Sequence, residues 1–322
     1  MAILLTGGLG YIGSHISILL GKEAIIIDNQ SNSSLNFRKY LPLATVYKKD
    51  ISFLSLNNIF SNHKIDGVIH LAGLKSVSES ILNPLKYYDA NINSTIELLT
   101  CMKKYSVNKL IFSSSATVYG DTNKSPLNEK MSMNSKNPYG KTKIMIENIL
   151  SDFAFANKRF KAVSLRYFNP LGADYENGLS ERPLGEPQNI MPILLKCAYQ
   201  QKVFKIFGND YDTIDGTCIR DYIHVKDLAH AHIIALKKIQ KIKGHIPINV
   251  GLGKGKSVLE IIKIFEKENK IKLKYNFSKK RDGDVAISYA DNKKFQKIFQ
   301  WEPKLNYKDM VRDSWLGFKK KN

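Results

Sequence analysis

The 322-residue chain predicts an α/β protein, a doubly wound parallel sheet followed by a smaller mixed α/β C-terminal domain. Three observations carry that prediction. An apolar run, Ala2–Leu5, is followed at once by a glycine turn and then a helical pattern. Further apolar runs at 24–29, 68–73 and 110–115 alternate with stretches of helical period, the rhythm of parallel strands joined by crossover helices. After about Leu171 that rhythm stops, and three prolines, Pro183, Pro187 and Pro192, mark a loop-rich start to something else.

The first element sets the chemistry. Thr6-Gly7-Gly8-Leu9-Gly10-Tyr11-Ile12-Gly13 leads into apolar positions at Ile12, Ile16, Leu19 and Leu20. Strand, glycine turn and helix together let backbone N–H groups approach a pyrophosphate at the helix N-terminus, where the dipole favours an anion. The second strand ends in Asp28-Asn29, about 20 residues on, where a carboxylate accepts from ribose hydroxyls and repels a 2′-phosphate. No arginine stands beside it, so the expected cofactor is NAD. Asn29, Asn32 and Ser33 could reach the adenosine side or be ordinary loop residues.

Residues 52–62 read as a helix with Leu54, Leu56, Ile59 and Phe60 apolar. The strand at 68–73 contains His70, which reads as a hydrogen-bonded core residue. One long helix is expected from Pro84 to about Tyr105. The strand at 110–115 ends in three serines, at the strand end where open parallel sheets place their chemistry. Helix 139–156 follows and begins with Tyr139 and Lys143. Four residues apart, they share a helix face, whereas Lys141 points elsewhere. An ammonium near a phenol favours the phenolate, so Tyr139 is expected to fall below the usual value of about 10 and serve as a proton acceptor.

Beyond Leu171, helix 191–201, strand 203–207, helix 257–268 and a terminal helix from Tyr307 are expected. Residues 225–236 and strand 246–250 should return to the main sheet. The expected division is therefore 1–170, with 225–251, as a Rossmann-type NAD-binding domain, and 171–322 mainly as a substrate domain. His230 and His232 diverge on a helix, and no metal site is expected. Trp301 and Trp315 read as packing.

The ordered motifs resemble the extended short-chain dehydrogenase/reductase family, and within it the enzymes that epimerise UDP-hexoses at C4. The stretches are Thr6–Ser14, His70–Lys75, Phe112–Gly120, Asn137–Lys143, Arg166–Gly172, Ile206–Asp210, Asp215–Val225 and Arg281–Asp284. The resemblance implies that Tyr139 is the base, Lys143 anchors the nicotinamide ribose, and Ser115 relays the sugar proton. It implies cofactor contacts from Gly7, Gly10, Tyr11, Ile12, Asp28, Asn29, Asp50, Ile51, Leu71, Ala72, Gly73, Lys75, Asn91 and Phe168. UDP-sugar contacts are implied for Lys75, Thr117, Asn169, Asn189, Ile190, Lys205, Ile206, Phe207, Arg220, Arg281, Asp284 and Ser288. Guanidinium groups suit a diphosphate.

The implied reaction is redox-neutral, with hydride leaving C4 of the sugar and returning to its opposite face, so tightly held NAD+ need not exchange. Ser288 stands where family members with a narrow sugar pocket carry Tyr, which implies room for a 2-N-acetyl group. Ala116-Thr117 follow Ser115 where related dehydratases carry Asp-Glu, which argues against dehydration. A uronate epimerase or a nonenzymatic NAD sensor are the rival readings. The family expectation is a homodimer, with helices near 84–105 and 139–156 as candidate interface.

Hydrophobic residues make up 43% and charged residues 24%, as in a folded globular protein. No apolar run reaches the ~18–20 residues of a membrane span. The glycine-broken start argues against a signal peptide. Three widely spaced cysteines argue against a disulfide framework and fit a reducing cytoplasm. The net charge of +20 raises the question of nucleic acid, but the lysines are scattered, densest at Lys237, Lys238, Lys241 and Lys243. A solvated surface is the expectation, with no nucleic-acid or membrane partner.

Overall fold

The computed structural model describes residues 2–121, 123–281 and 284–320. Asp282 and Gly283, inside the Arg281–Asp284 motif, lie outside the described residues. The first strands are β1 (Ala2–Thr6), β2 (Ala24–Ile27), β3 (Thr45–Tyr47), β4 (Ile65–His70), β5 (Lys109–Ser113) and β6 (Lys161–Tyr167). They are followed by β7 (Asn169–Leu171), β8 (Phe204–Phe207), β9 (Ile219–His224), β10 (His245–Val250), β11 (Gly255–Ser257), β12 (Tyr275–Ser278) and β13 (Ile287–Ser288).

Seven strands form one parallel sheet in the order β10-β6-β5-β4-β1-β2-β3. The chain builds outward from β1 through β2 and β3, then returns to β4 on the other side. That reversal opens a crevice beyond the ends of β1 and β4, where doubly wound sheets take ligands. The inner strands are covered on both faces, which explains their uninterrupted apolar runs. Ile3 and Leu5 of β1 enter the core with helices Tyr11–Leu20 and Val225–Lys237. Leu4, between them, enters the opposite core with helices Phe53–Asn62, Ser94–Lys104 and Pro138–Ala156.

The expected helix from Pro84 to Tyr105 is a helical run with an interruption. Pro84–Tyr88 and Ser94–Lys104 are α-helical, and Asp89–Asn93 between them is a π segment. The extra residue turns Asn91 inward, where its side chain accepts from Leu74 N–H (2.7 Å) and donates to Thr142 Oγ1 (3.0 Å). Edge strand β3 is three residues long and half-exposed, so it carries no pattern to read.

Strands β7, β11 and β13 all pair with β9, and β12 pairs with β8. Their core gathers Leu171, Met191, Leu194, Phe204, Tyr222, Phe265 and Trp315. Trp301 packs at the edge of the first core.

Candidate active site

The glycine turn shapes one bank of the crevice. Gly7 has φ +72°, and a Cβ there would stand 2.7 Å from the backbone nitrogen of Ala72. A Cβ on Gly13 would collide with the Gly7 carbonyl oxygen. These two positions let helix Tyr11–Leu20 sit close against β1 with its N-terminus open, since Gly10 provides no side-chain cap. At the end of β2, Asp28 accepts from Leu9 N–H (2.9 Å) and Gln30 N–H (2.7 Å). Burial raises its pKa, and those two bonds oppose the rise. Asn29 donates to Asp50 (2.6 Å), and Ser33 donates to the Leu9 carbonyl (2.7 Å).

Tyr139, Lys143 and Ser115 stand on the other bank. Asn137 caps helix Pro138–Ala156 by accepting from Gly140 N–H at 2.8 Å, and Pro138 occupies the first turn. This start places Tyr139 and Lys143 on the buried side and leaves Lys141 exposed. Lys143 Nζ donates to the Ser113 carbonyl at 2.9 Å and lies over the Phe112 and Tyr139 rings, 4.7 and 5.7 Å from their centroids. Burial pushes Lys143 down to about 8, and the nearby Glu147 carboxylate opposes that fall. Ser115 accepts from Thr117 N–H (3.2 Å), donates to Thr117 Oγ1 (2.9 Å) and also hydrogen-bonds Tyr139.

The expectation that Tyr139 sits below the ordinary tyrosine value is corrected. In the protein alone burial raises it, and only the Ser115 hydrogen bond opposes the rise. The Lys143 ammonium is engaged with the Ser113 carbonyl and lies 5.7 Å from the centre of the Tyr139 ring.

One cleft of about 760 Å³ joins the two banks. Its walls include Gly7, Gly10, Tyr11, Ile12, Asp28, Asn29, Asn32, Ser33, Asp50, Ile51, Leu71, Ala72, Gly73 and Lys75. Ser115, Tyr139, Lys143, Phe168, Asn169 and Asn189 line it as well. Asn91 is absent from the walls and holds Leu74 from behind.

The remaining candidates gather elsewhere. Arg220 and Asp284 approach to 3.6 Å, Arg281 donates to Asp284 at 3.0 Å, and the Arg281 guanidinium stacks 4.8 Å from the Phe207 ring. Ser288 is in register with Arg220 across β13 and β9. Lys205 is exposed on β8, whereas the Ile206 side chain is spent in the core. Thr117 and Ile190 are likewise not on the cleft wall.

Sequence reasoning missed Tyr167, Ser180, Glu181, Arg182 and Pro183, which line the cleft. Tyr167 sits inside the Arg166–Gly172 motif and could have been read there. The others lie in an aperiodic loop whose return across the cleft is tertiary. Glu181 accepts from Asn189 at 2.7 Å and pairs with Lys75 at 3.5 Å.

The histidines resolve simply. His70 bonds Thr6 Oγ1 (2.6 Å) and Thr95 Oγ1 (3.0 Å) in the core. His230 is exposed and His232 buried, facing apart.

The residues present fit a dinucleotide: an uncapped helix N-terminus, a glycine cradle that Cβ atoms would fill, and a carboxylate one strand away. The site is that of a nucleotide-dependent α/β enzyme, with Tyr139, Lys143 and Ser115 on one wall of the cleft. The chain belongs to the NAD dependent epimerase/dehydratase family, matched over residues 3–251. It is 43% identical to the UDP-glucose 4-epimerase of Bacillus subtilis, covering 98% of this chain and 96% of that one. The UDP-glucose 4-epimerase of Bifidobacterium longum, solved in complex with NAD+ and UDP, is 41% identical, with TM-score 0.94 and coverage of 100% and 99%. The enzyme of Stenotrophomonas maltophila, solved with NAD and formylated UDP-arabinopyranose, is 38% identical, with TM-score 0.95 and coverage of 99% and 98%.

Proposed function

We propose that this protein is an NAD-dependent enzyme that epimerises a UDP-hexose at C4, interconverting UDP-glucose and UDP-galactose. The observation that carries this reading is the meeting of Tyr139, Ser115 and Lys143 in the same cleft as the glycine turn and Asp28. Residues 1–170 with 225–251 hold the cofactor, and 171–322 mainly hold the UDP-sugar.

The bound nicotinamide supplies a hydride acceptor and donor at the sugar C4. Every other task falls to this chain. Tyr139 takes the 4-hydroxyl proton, and Ser115 bridges phenol and sugar. Lys143 steadies the developing phenolate, which burial alone disfavours. Asp28 holds the adenosine ribose, and the open end of helix Tyr11–Leu20 holds the pyrophosphate. Arg220 and Arg281, both gathered on Asp284, take the UDP diphosphate. Asn169 and Asn189 place the hexose while it presents either face.

Ser288 favours a second substrate pair. A small side chain in register with Arg220 leaves room for a 2-N-acetyl group, so UDP-GlcNAc and UDP-GalNAc are also accepted. A homodimer through the helical run 84–104 and helix Pro138–Ala156 is supported by exposed Leu85, Ile96 and Phe155. All three cysteines are free, as a reducing cytoplasm requires, and no helix among the described residues is long and apolar enough to cross a membrane.

The test is to give purified protein UDP-galactose with no added cofactor. Conversion to UDP-glucose is expected, with NAD released on denaturation. No conversion even after NAD is added would overturn the reading.

A further inference from the structure

Behind the cleft lies a buried polar network that the proposed chemistry does not use. Arg166 of β6 and Glu147 of helix Pro138–Ala156 are 2% and 3% exposed at their side chains. The guanidinium grips the carboxylate with Nε donating to Oε1 (3.0 Å) and the terminal nitrogen donating to Oε2 (2.5 Å). Its other terminal nitrogen donates to Tyr119 Oη (3.1 Å), and Tyr119 donates to Asn249 Oδ1 (2.6 Å) on β10. One further bond reaches the catalytic strand: Ser114 Oγ donates to Glu147 Oε1 at 2.5 Å.

The serine run after β5 is therefore held from three sides. The Ser113 hydroxyl meets His232 Nε2 at 3.1 Å, and the Ser113 carbonyl accepts from Lys143. The Ser114 hydroxyl is bound by Glu147, which leaves Ser115 alone to face Tyr139. Glu147 stands one helical turn beyond Lys143 on the same buried face.

We infer that Glu147 is a positioning residue for the reaction: through Ser114 it sets Ser115 against Tyr139, and as a carboxylate one turn from Lys143 it keeps that ammonium charged inside the protein. The inference rests on the proposed epimerase reading. Proton relay between Ser115 and Tyr139 needs their separation held to a fraction of an ångström, and only a locked supporting network does that. Glu147 is buried, so its carboxylate, one turn along the helix, acts on Lys143 with little screening by water.

The groups facing Lys143 support that role. Tyr139 lies on its own helix, the Phe112 ring and Ser113 carbonyl on β5, and His70 on β4. His70 is held neutral, its pKa pushed down to about 3 by burial and by the Lys143 charge. Burial pushes His232 and His245 down to about 4. Tyr167 is partly buried and its pKa is pushed up, so it brings no charge. Arg166 is committed to Glu147.

Two variants separate the two roles, each assayed for UDP-galactose conversion beside the parent protein. Ser114→Ala leaves the Glu147–Arg166 pair intact and cuts only the link to the strand. It should lower kcat about 10–100-fold with KM and the alkaline limb of the pH profile unmoved. Glu147→Gln should lower kcat and also move the alkaline limb about one pH unit lower, because Lys143 loses its nearby carboxylate. Glu147→Asp should return the limb towards its parental position. Parental kcat in Ser114→Ala, or a parental alkaline limb in folded Glu147→Gln, overturns the inference. If Glu147→Gln does not fold, Ser114→Ala alone decides the outcome. A parent protein that does not convert UDP-galactose contradicts the epimerase reading instead.

Discussion

Lys143 Nζ lies 2.9 Å from the carbonyl oxygen of Ser113, two residues before Ser115. One buried cation thus ties the helix that carries Tyr139 to the strand end that carries the serine. Burial pushes its pKa to about 8, so Lys143 is charged in neutral solution and loses its proton at mildly alkaline pH. Activity that depends on the ammonium is present below about pH 8 and is lost above it. A pH profile of kcat/KM should bend downward near pH 8, and Lys143→Met should lower the whole curve and remove the bend.

Tyr139→Phe removes the proposed proton acceptor while keeping the ring that Lys143 lies over. Turnover should fall about 10²–10⁴-fold. NAD content after purification should match the parent, measured by absorbance after denaturation, because the proposed cofactor contacts lie mainly on the opposite bank.

Gly13→Ala tests the glycine cradle. The added methyl collides with the Gly7 carbonyl, which is backbone and cannot swing away. Urea unfolding should show a loss of about 1–3 kcal/mol. Co-purifying NAD should fall with it, since helix Tyr11–Leu20 is pushed off β1.

The buried ion pair makes a separate stability prediction. Arg166→Met leaves the buried Glu147 carboxylate without its guanidinium partner and should cost about 3–5 kcal/mol. Glu147→Met combined with Arg166→Met should recover much of that loss in the same unfolding experiment, because neither member of the pair is left buried without the other.

Ser288→Tyr should abolish conversion of UDP-GalNAc while leaving UDP-galactose within about threefold of the parent. Chromatography of the two products reads this directly. Equal loss on both substrates would show that Ser288 does not gate the sugar pocket.

The parallel sheet was legible because its signals are local. Ala2–Leu5 is a buried run with glycines immediately after it, and Asp28 ends the next such run. The Tyr139–Lys143 spacing could be read as one helix face for the same reason. What stayed hidden depends on packing between distant segments. Strand β3 is three half-exposed residues at an edge, with no pattern of its own. The π turn at Asp89–Asn93 exists to bring Asn91 to Leu74, a contact no spacing announces. Ser180–Pro183 reach the cleft only because their loop folds back over it. The direction of the Tyr139 shift was misread because spacing shows the neighbouring ammonium but not the burial that outweighs it, nor the Ser113 carbonyl that engages it.

The most direct test of the central claim follows one hydrogen. UDP-galactose carrying deuterium at C4 is converted by the purified protein in ordinary water, and the UDP-glucose is read by mass spectrometry and NMR. A redox-neutral inversion returns the same hydride, so the label should remain at C4 of the product. Loss of the label to solvent would contradict the account, because C4 would then be inverting by proton exchange and not by hydride return.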